Sequence, residues 1–472
     1  MGVSRKSLTW KSLTPRDTIS LGIPRTCTTW RDKHHAMTGE RSKMLSAVVY
    51  YATHERNVLI MGNATLETTC CIVGGGPAGI MLGYLLARKG VAVTVLEKHQ
   101  DFFRDFRGDT VHPSTLEVMH ELGLLQDFLR VPHQVLTRVG GVFGTYAFTV
   151  ADFRHVPTHC KFVALMPQWD FLDFLSSRAR KFSNFDLRMQ HEAVGLVRDG
   201  SRIVGVEVQT PNGLAEIRAD LIVGCDGRHS VTREASQLEL IEFGVPIDVL
   251  WFHISRRAND PEQLLGNFNY GRALVLINRN EYFQAGLLIR KGSFDETKKD
   301  GMDAFRRTLR QIAPFLGDRV DELKDWDQVK LLSVQLNRLR RWHLPGLLCI
   351  GDAAHAMSPA GGVGINLAIQ DAVATANLLS DALRERRVTD DLLAQVQRRR
   401  EFPTRVTQRV QATAHKAFDR LFRNPGPAKP PWQLRVAVRI PGVRRLMARA
   451  VGMGVRPEHI REAGGVTLEK AA

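Results

Sequence analysis

The order of apolar and polar positions becomes regular only after about residue 60, where it predicts a strand, a helix and a second strand. Residues 68–73 are a short apolar run rich in β-branched side chains, and residues 80–89 form a longer apolar stretch that Gly90 ends. Residues 91–96 alternate and lead into Glu97. Strand, helix and strand within about thirty residues are typical of a βαβ unit with parallel strands.

The remainder of the chain mixes β-rich and helical stretches, which favours an α/β fold. The predicted elements are an alternating strand at 202–209, a polar turn at 211–213, an apolar strand at 221–224, a β-rich region at 245–290, a helix at 301–325, a buried strand at 347–350 and mostly helices thereafter, with a proline-rich break at 424–431.

Residues 1–60 differ in composition from the rest, being rich in Ser, Thr and Arg, poor in acids and without a sustained period. Three interpretations are open: a mitochondrial transit segment, a disordered arm, or a start of the sequence upstream of the natural one. We favour the third, because Met61 opens a short polar lead to the first strand. A cytoplasmic protein is then expected, and a mitochondrial one if residues 1–60 are a transit segment.

Composition places the 472-residue chain among ordinary globular proteins, with 44% apolar and 24% charged residues. It contains no apolar run of the roughly 18 residues that a transmembrane helix requires. The net charge of +16 is strongly basic. However, we find neither zinc-finger spacing nor a basic patch interleaved with aromatic residues, so we expect no nucleic-acid partner.

The six cysteines do not have the spacing of a metal site. Four lie in or beside apolar runs, where cysteine is usually a small core residue in a reducing compartment. We therefore expect no metal.

A glycine loop follows the first strand and carries the first chemical signal. Gly74, Gly76 and Gly79 have the spacing Gly-x-Gly-x-x-Gly. The first glycine permits a tight turn, the second lets a pyrophosphate approach the backbone, and the third lets helix and strand pack closely. Pro77 suits the first turn of the helix, whose N-terminus attracts phosphate. Glu97, about twenty residues on, is placed to accept hydrogen bonds from a ribose.

Two further segments follow predicted strands. Asp226-Gly227 comes directly after the apolar run 221–224, where a carboxylate faces the crevice at the carboxyl end of a parallel sheet. Taken alone, such a pair is usually a turn. Residues 351–366 follow the strand at 347–350 and begin with Gly351-Asp352. The glycines at 361, 362 and 364 leave room for a flat ring, and the helix that follows directs its positive end toward it.

Together and in this order, the three segments resemble the flavoprotein monooxygenases of the p-hydroxybenzoate hydroxylase type (group A), which include relatives in the ubiquinone pathway. The resemblance covers about residues 66–385. It implies an α/β fold in which a Rossmann-type FAD-binding domain carries an inserted β-sheet substrate domain and a helical C-terminal region. By this resemblance the FAD-binding domain comprises 66–135, 164–240 and 342–385, the substrate domain 136–163 and 241–341, and the helical region 386–472.

The same resemblance assigns the cofactor contacts. By it, the residues expected to bind FAD are Gly74, Gly76, Pro77, Ala78, Gly79, Glu97, Lys98, Arg107, Gln168, Asp226, Gly227, Gly351, Asp352, Pro359, Gly361, Gly362, Gly364, Ile365 and Asn366.

The chemistry of this family implies that NAD(P)H reduces the flavin, that O2 adds to give a flavin hydroperoxide, and that an aromatic, phenol-like or lipidic substrate is hydroxylated. We assign no catalytic base. The alternatives are an oxidoreductase of the same fold without oxygen insertion, such as an isoprenoid saturase, and a non-catalytic flavin binder. Monomer and homodimer are both compatible with the sequence.

Two features stay open at this point. Candidate substrate contacts in the β-rich region are Trp251, His253, Tyr270, Tyr282 and Gln284, although each is more typical of a core or sheet-face residue. Residues 432–451 place apolar side chains among many arginines. This pattern predicts either a basic helix packed on the flavin domain, which we favour, or an amphipathic helix on a membrane surface.

Overall fold

The computed structural model describes residues 65–103, 110–261, 266–424, 426–440 and 442–461. Residues 1–60 and Arg107, on which predictions were made above, lie outside these ranges.

The described residues form strands and helices that include the strands predicted at 68–73, 91–96, 202–209 and 347–350. The strands are β1 (Leu66–Val73), β2 (Val93–Glu97), β3 (Thr110–Val111), β4 (Gln134–Leu136), β5 (Arg138–Phe143), β6 (Tyr146–Asp152), β7 (Val163–Leu165), β8 (Phe185–Met189), β9 (Glu192–Asp199), β10 (Arg202–Thr210), β11 (Gly213–Gly224), β12 (Leu240–Glu242), β13 (Ile247–Ser255), β14 (Gly266–Asn269), β15 (Arg272–Asn278), β16 (Tyr282–Arg290), β17 (Lys330–Leu332), β18 (Asn337–Leu339), β19 (His343–Leu344) and β20 (Leu347–Cys349).

The α-helices of the same residues are α1 (Pro77–Arg88), α2 (Pro113–Glu121), α3 (Leu125–Phe128), α4 (Gln168–Ala179), α5 (Val231–Ser236), α6 (Phe294–Lys299), α7 (Met302–Ile312), α8 (Gly364–Arg384), α9 (Asp390–Phe422), α10 (Trp432–Ala437) and α11 (Val443–Gly452).

The first large sheet has the strand order β19-β20-β11-β1-β2-β8, and β10 and β9 extend it from β11. β1 pairs in parallel with β2 and β11, and β11 pairs in parallel with β20. α1, α4 and α8 pack together on this sheet around one apolar core. α1 is buried along nearly its whole length, and a Cβ at Gly83 would lie 2.8 Å from the rings and methyls of Phe185 and Val95. The predicted βαβ opening and the Rossmann-type fold are confirmed.

A second large sheet has the order β17-β13-β16-β15-β14-β5-β6. Its strands alternate between two apolar clusters, because neighbouring side chains point to opposite faces. Leu250 and Phe252 belong to the cluster under α7, whereas Val249 and Trp251 belong to the cluster that also contains Met357 of the third predicted segment. One face of this sheet is therefore directed toward the candidate site.

The helix predicted at 301–325 is wrong in its length. α7 ends at Ile312, and residues Pro314–Glu322 form 3₁₀ turns instead. Pro314 cannot continue the hydrogen bonding of the helix, and Gly317 has a φ of 57°, which interrupts the turns.

The C-terminal region is helical and is closed by a polar segment. α9 spans 33 residues and runs behind the third predicted segment. Residues 456–461, which we call the C-terminal strap, return to α2, α8 and α9. No helix in the described ranges is long and apolar enough to cross a membrane.

Candidate active site

The sheet register brings the three predicted segments together. Val73 pairs with Leu96 on one side and with Gly224 on the other, and Gly224 pairs with Cys349. The four strands therefore end side by side, so that the glycine loop, Glu97, Asp226 and Asp352 all leave the same edge of the sheet. This edge is the ligand crevice of an open α/β sheet.

The glycine loop shows three different reasons for its glycines. Gly74 has a φ of +106°, and a Cβ there would lie 2.4 Å from the carbonyl oxygen of Cys225. A Cβ at Gly79 would lie 1.9 Å from the carbonyl oxygen of Gly74. Both positions are closed by neighbouring backbone. Gly76, by contrast, faces open space, with no atom within 4 Å of a Cβ built on it.

The N-terminus of α1 is suited to an anion. Gly76 is its N-cap and offers no side-chain cap, Pro77 occupies the first turn, and that turn contains no acidic residue. Ala78 and Gly79 follow in the same turn, where backbone N–H groups have no partner inside the helix. The open space at Gly76 and these N–H groups fit a pyrophosphate.

Glu97 lies beside this loop. Its Oε2 accepts a hydrogen bond from the Gly75 backbone N–H at 3.1 Å, and its Oε1 accepts one from the His99 N–H at 3.1 Å. The carboxylate is thus held against the loop at the end of β2. Lys98 points elsewhere, since its exposed ammonium pairs with Glu192 at 3.4 Å.

Asp226 supports the loop through its own hydrogen bonds. Its carboxylate accepts from the hydroxyl of Ser230 at 2.6 Å and from the backbone N–H and hydroxyl of Thr232, each at 2.9 Å. The side chain therefore ties the start of α5 to the sheet edge. Gly227 has a φ of +82° and open space around it, so its backbone is accessible.

Arg228 joins the second and third segments, and the sequence motifs did not single it out. Its Nε donates to Asp352 Oδ2 at 3.1 Å, and its Nη2 donates to the carbonyl of Met357 at 3.0 Å. Arg233, which is buried, donates to the carbonyls of Ala353 and Arg228. The remaining Arg228 Nη1 is buried without a hydrogen-bond partner among the described residues. A buried cationic donor beside Asp352 fits an oxygen-rich ligand.

The third segment is shaped by glycines with positive φ. Gly361 has a φ of 83° and Gly362 a φ of 62°. A Cβ at Gly362 would lie 2.2 Å from the hydroxyl of Thr110, which donates to the Gly362 carbonyl at 2.8 Å. Pro359, Gly364 and Ile365 are partly exposed around this loop.

Asn366 is buried and holds the loop in place. Its Oδ1 accepts from the His112 backbone N–H and from the Thr115 hydroxyl, both at 2.8 Å. Its Nδ2 donates to the carbonyls of Thr110 and Gly362 at 3.0 and 3.1 Å. The side-chain amide is thus hydrogen-bonded to four protein groups, which position the loop.

α9 supports the same loop from behind. Gln411 accepts from the Ser358 N–H and donates to the carbonyls of Ser358 and Ala360. His415 Nε2 lies 2.8 Å from the Ser358 hydroxyl. Burial lowers the pKa of His415 below its ordinary value.

A buried chain of charges lies beneath Gly351. Asp371 accepts from the Gly351 N–H at 3.1 Å, from His355 Nε2 at 2.6 Å and from Arg400 Nε at 2.8 Å. Burial alone would raise the pKa of this carboxyl, but His355 and Arg400 outweigh burial and hold it below its ordinary value. His355 therefore acts on Asp371 and is buried away from the crevice.

The remaining predicted residues occupy separate places. Gln168 begins α4 and is half-buried. Trp251 lies over Gly286, where a Cβ would be 2.9 Å from its ring. The other substrate candidates differ in position: Gln284 is buried and accepts from Arg279, the rings of His253 and Tyr282 are 4.6 Å apart, and Tyr270 is exposed in the β14–β15 turn.

No cluster of histidine, cysteine and carboxylate side chains within the described ranges is arranged to hold a metal.

Comparison with known proteins identifies the family to which the chain is similar. Residues 67–410 match the family described as FAD binding domain. The chain is 30% identical over 401 residues to 6-methylpretetramide 4-monooxygenase of Streptomyces rimosus, which covers 81% of this chain and 92% of that protein. It is 26% identical to dialkyldecalin synthase of Streptomyces rugosporus, of which the match covers 64%, just under two thirds of that relative's length.

A solved structure agrees with these matches in fold. The anhydrotetracycline hydroxylase OxyS of Streptomyces rimosus superposes with a TM-score of 0.66 at 22% identity, over 85% of this chain and 78% of that one. Family, relatives and fold agree with the three segments at the sheet edge. The chain therefore belongs to the FAD binding domain family, that of the group A flavin monooxygenases, and is an FAD-dependent oxidoreductase that uses NAD(P)H.

Proposed function

We propose that the protein hydroxylates a phenol-like substrate with fused aromatic rings, consuming O2 and NAD(P)H. The observation that carries the proposal is the convergence of three segments at one sheet edge. The Arg228–Asp352 ion pair joins the second of these segments to the third. When bound, FAD supplies the transfer of electrons from NAD(P)H and the activation of O2. The residues of the chain bind the cofactor, orient it and exclude water.

The glycine loop and Glu97 hold the dinucleotide end. The α1 N-terminus would donate backbone hydrogen bonds to the pyrophosphate, for which Gly76 leaves open space. Glu97 is already held by the Gly75 and His99 N–H groups, so its carboxylate is oriented before a ribose hydroxyl reaches it. A preoriented acceptor loses little conformational entropy on binding.

Asp352 and Arg228 hold the polyol chain next to the ring. Asp352 would accept a hydrogen bond from a ribityl hydroxyl, and the buried Arg228 Nη1 would donate one to an oxygen of the cofactor. Pairing with Arg228 keeps Asp352 in one orientation. Asp226 contributes from further back by fixing the start of α5, and Gly227 contributes its backbone.

The loop from Pro359 to Gly364 and the N-terminus of α8 lie where the flat ring is expected. The partial positive charge of a 21-residue helix favours negative charge at that end. Thr110, Asn366 and Gln411 fix the loop from three sides. The sheet face that carries Trp251 shares an apolar cluster with Met357, next to this loop, and an apolar wall there would exclude water from the reacting atoms.

The substrate class comes from the relative with 30% identity, which is named for a reaction on 6-methylpretetramide. A planar, apolar substrate suits the face of the second sheet that shares an apolar cluster with Met357. Fused-ring phenols are therefore the compounds to test first.

A second function has its own support. One relative is named dialkyldecalin synthase, and a structure of similar fold is named Diels-Alderase. The same arrangement of segments then holds FAD while the protein directs a ring closure without oxygen insertion.

The deciding experiment uses the purified FAD-loaded protein with fused-ring phenols, NADH or NADPH, and ¹⁸O₂. We expect substrate-dependent loss of the reduced nicotinamide and a product that carries one ¹⁸O atom. An unlabelled cyclised product formed without the nicotinamide would favour the second function. A protein that neither contains FAD nor binds added FAD would contradict both.

A further inference from the structure

The last helices of the chain have two unlike faces. The inner face is packed: Val438 is 7% and Ala448 0% exposed, and a Cβ at Gly452 would lie 3.0 Å from the ring of Phe153. Val451 contributes its carbonyl oxygen to His112 Nδ1 at 2.9 Å. α10 and α11 are therefore fixed to the body of the protein, and their outer face has one defined direction.

The outer face, which we call the α10–α11 face, is apolar at its centre. Trp432 is 68% exposed, Val436 and Ile440 are each 50% exposed, and Leu446 is 67% exposed. Residues 432, 436 and 440 are spaced by four, so they share one side of α10 and of the turn that continues it. Large apolar side chains grouped in this way mark an interaction surface.

The same face is strongly cationic. The segment from Trp432 to Met453 contains five arginines and no Asp or Glu. All five are exposed, and Arg444 donates to the carbonyl of Val438 at 2.9 Å. Arg435, Arg439, Arg445 and Arg449 form no ion pair with any carboxylate of the described residues. Their charges are thus available to an anionic partner.

We propose that the α10–α11 face binds the surface of an anionic phospholipid bilayer. Tryptophan is favoured at the boundary between acyl chains and headgroups, and guanidinium groups bind phosphate bidentately. A short amphipathic helix with exposed Trp, Val, Ile and Leu among arginines lies in that boundary. The face therefore matches both the phosphate headgroups and the outer part of the acyl chains.

Other partners match only half of the face. A nucleic acid would pair with the arginines but leave the Trp432 cluster in water. A second copy of the chain would bring two sets of five arginines together, which is repulsive. The packing of the inner face and the proposed lipid contact of the outer face are compatible, because they use opposite sides of the segment.

The face is also coupled to the cofactor site. Val451 lies in the last turn of α11 and its carbonyl holds His112, whose backbone N–H in turn holds Asn366 of the glycine-rich loop. A bound bilayer would therefore lie one helix away from that loop. The proposal rests on the α10–α11 face alone and not on the hydroxylation proposed above.

The test is co-sedimentation of the full-length, FAD-loaded protein with vesicles. One set contains phosphatidylcholine and phosphatidylglycerol in equal parts, and the other contains phosphatidylcholine alone. We expect binding to the anionic vesicles at low salt, weak binding to the neutral ones, and release at high salt.

Two variants separate the charge from the apolar contact. Arg435→Gln with Arg439→Gln should weaken binding about thirtyfold, since each basic residue near an anionic surface contributes about a factor of five. Trp432→Ser with Val436→Ser should weaken binding even at low salt. The matched controls are Arg387→Gln with Arg398→Gln, at arginines that are 73% and 62% exposed, and Val410→Ser, at a valine that is 60% exposed on α9.

The proposal is overturned if the anionic vesicles do not sediment the protein at low salt, or if the controls weaken binding as much as the test variants. A dimer in solution that the Trp432→Ser variant dissociates would assign the face to a second copy instead. Because the variants lie outside the cofactor site, unchanged FAD absorbance in each of them shows that the fold is intact.

Discussion

At the scale of single residues, the site depends on buried charges that a local motif does not contain. Asp371 is 0% exposed, and its carboxylate binds Gly351, His355 and Arg400. An ion pair removed from water stabilises little by itself, but loss of one partner leaves the other charge buried and unpaired.

We predict that Asp371→Asn lowers the free energy of unfolding by about 3–5 kcal/mol, because the buried Arg400 then loses one of its two carboxylate partners. Chemical unfolding of the apoprotein measures this loss. FAD affinity should fall as well, since the one oxygen of Asn cannot accept from both the Gly351 N–H and Arg400 as the two carboxylate oxygens do. Asp381→Asn on the same helix is the control: Asp381 is 75% exposed, and its loss should change stability by less than about 0.5 kcal/mol. Equal effects of the two variants would contradict the prediction.

His112 gives the fold a pH dependence. Burial lowers the pKa of His112 to about 4, against the opposing effect of its hydrogen bonds to the Val451 and Gly361 backbone. The unfolded chain takes up the proton near pH 6.5, before the folded one does, so stability falls as the pH drops from about 6.5 toward 4.

We predict that His112→Gln removes about 3 kcal/mol of this pH-dependent loss, while Gln can keep the hydrogen bond to Val451. The measurement is the free energy of unfolding in urea at pH 7 and at pH 4.5. Burial lowers the pKa of His343 and His415 in the same direction, so a smaller slope should remain in the variant. An unchanged slope would show that the pKa of His112 is the same in the folded and unfolded chain.

At the scale of elements, sequence succeeds where contacts are local. The glycine spacing at 74–79 and the strands beside it predict the βαβ unit, because all of its determinants lie within one short stretch. Arg228 was missed because its partner Asp352 lies 124 residues away. Asp226, which is predicted to contact the cofactor, has a second role in the structure, because its carboxylate accepts hydrogen bonds from the start of α5. The signal for that role was present in Ser230 and Thr232, which follow closely enough to return hydrogen bonds.

Gly76 and Gly79, the second and third glycines of the motif, allow a matched test of this element. Gly76→Ala adds a methyl group to open space, at a φ of −75° that alanine accepts, so the protein should fold normally. The methyl group occupies the place of the pyrophosphate, and FAD affinity should fall by about tenfold or more. Gly79→Ala should fail to fold well, because its Cβ would lie 1.9 Å from a carbonyl oxygen.

Absorbance of FAD retained after gel filtration and a thermal melt of the apoprotein separate these outcomes. Gly244→Ala is the control, since a Cβ at this exposed glycine meets no atom within 4 Å and lies in the loop after β12, outside the three segments. Normal FAD binding by Gly76→Ala would show that the loop does not bind the pyrophosphate at Gly76.

At the scale of the whole molecule, the C-terminal strap closes a path from the chain end to the cofactor loop. Glu458 is 3% exposed and accepts from Arg399 and Arg400, and its backbone N–H donates to Gln370 of α8. Arg400 continues to Asp371 and hence to Gly351. Segments that are about a hundred residues apart thus share one buried network, which no window of sequence reveals.

This network predicts that the strap stabilises the cofactor site and not only itself. Glu458→Gln leaves two guanidinium groups without their shared carboxylate, of which Arg400 is 1% exposed. We expect a loss of about 3 kcal/mol in unfolding free energy and weaker binding of FAD. Glu121→Gln removes the partially exposed carboxylate that binds His459 and the Ile460 N–H, so it should loosen the strap at a cost of only about 1 kcal/mol. FAD titration of both variants decides whether the strap stabilises the cofactor site or only its own segment. If the two variants bind FAD equally well, the strap stabilises only its own segment. If only Glu458→Gln binds FAD more weakly, the buried charges transmit the effect of the strap to Gly351.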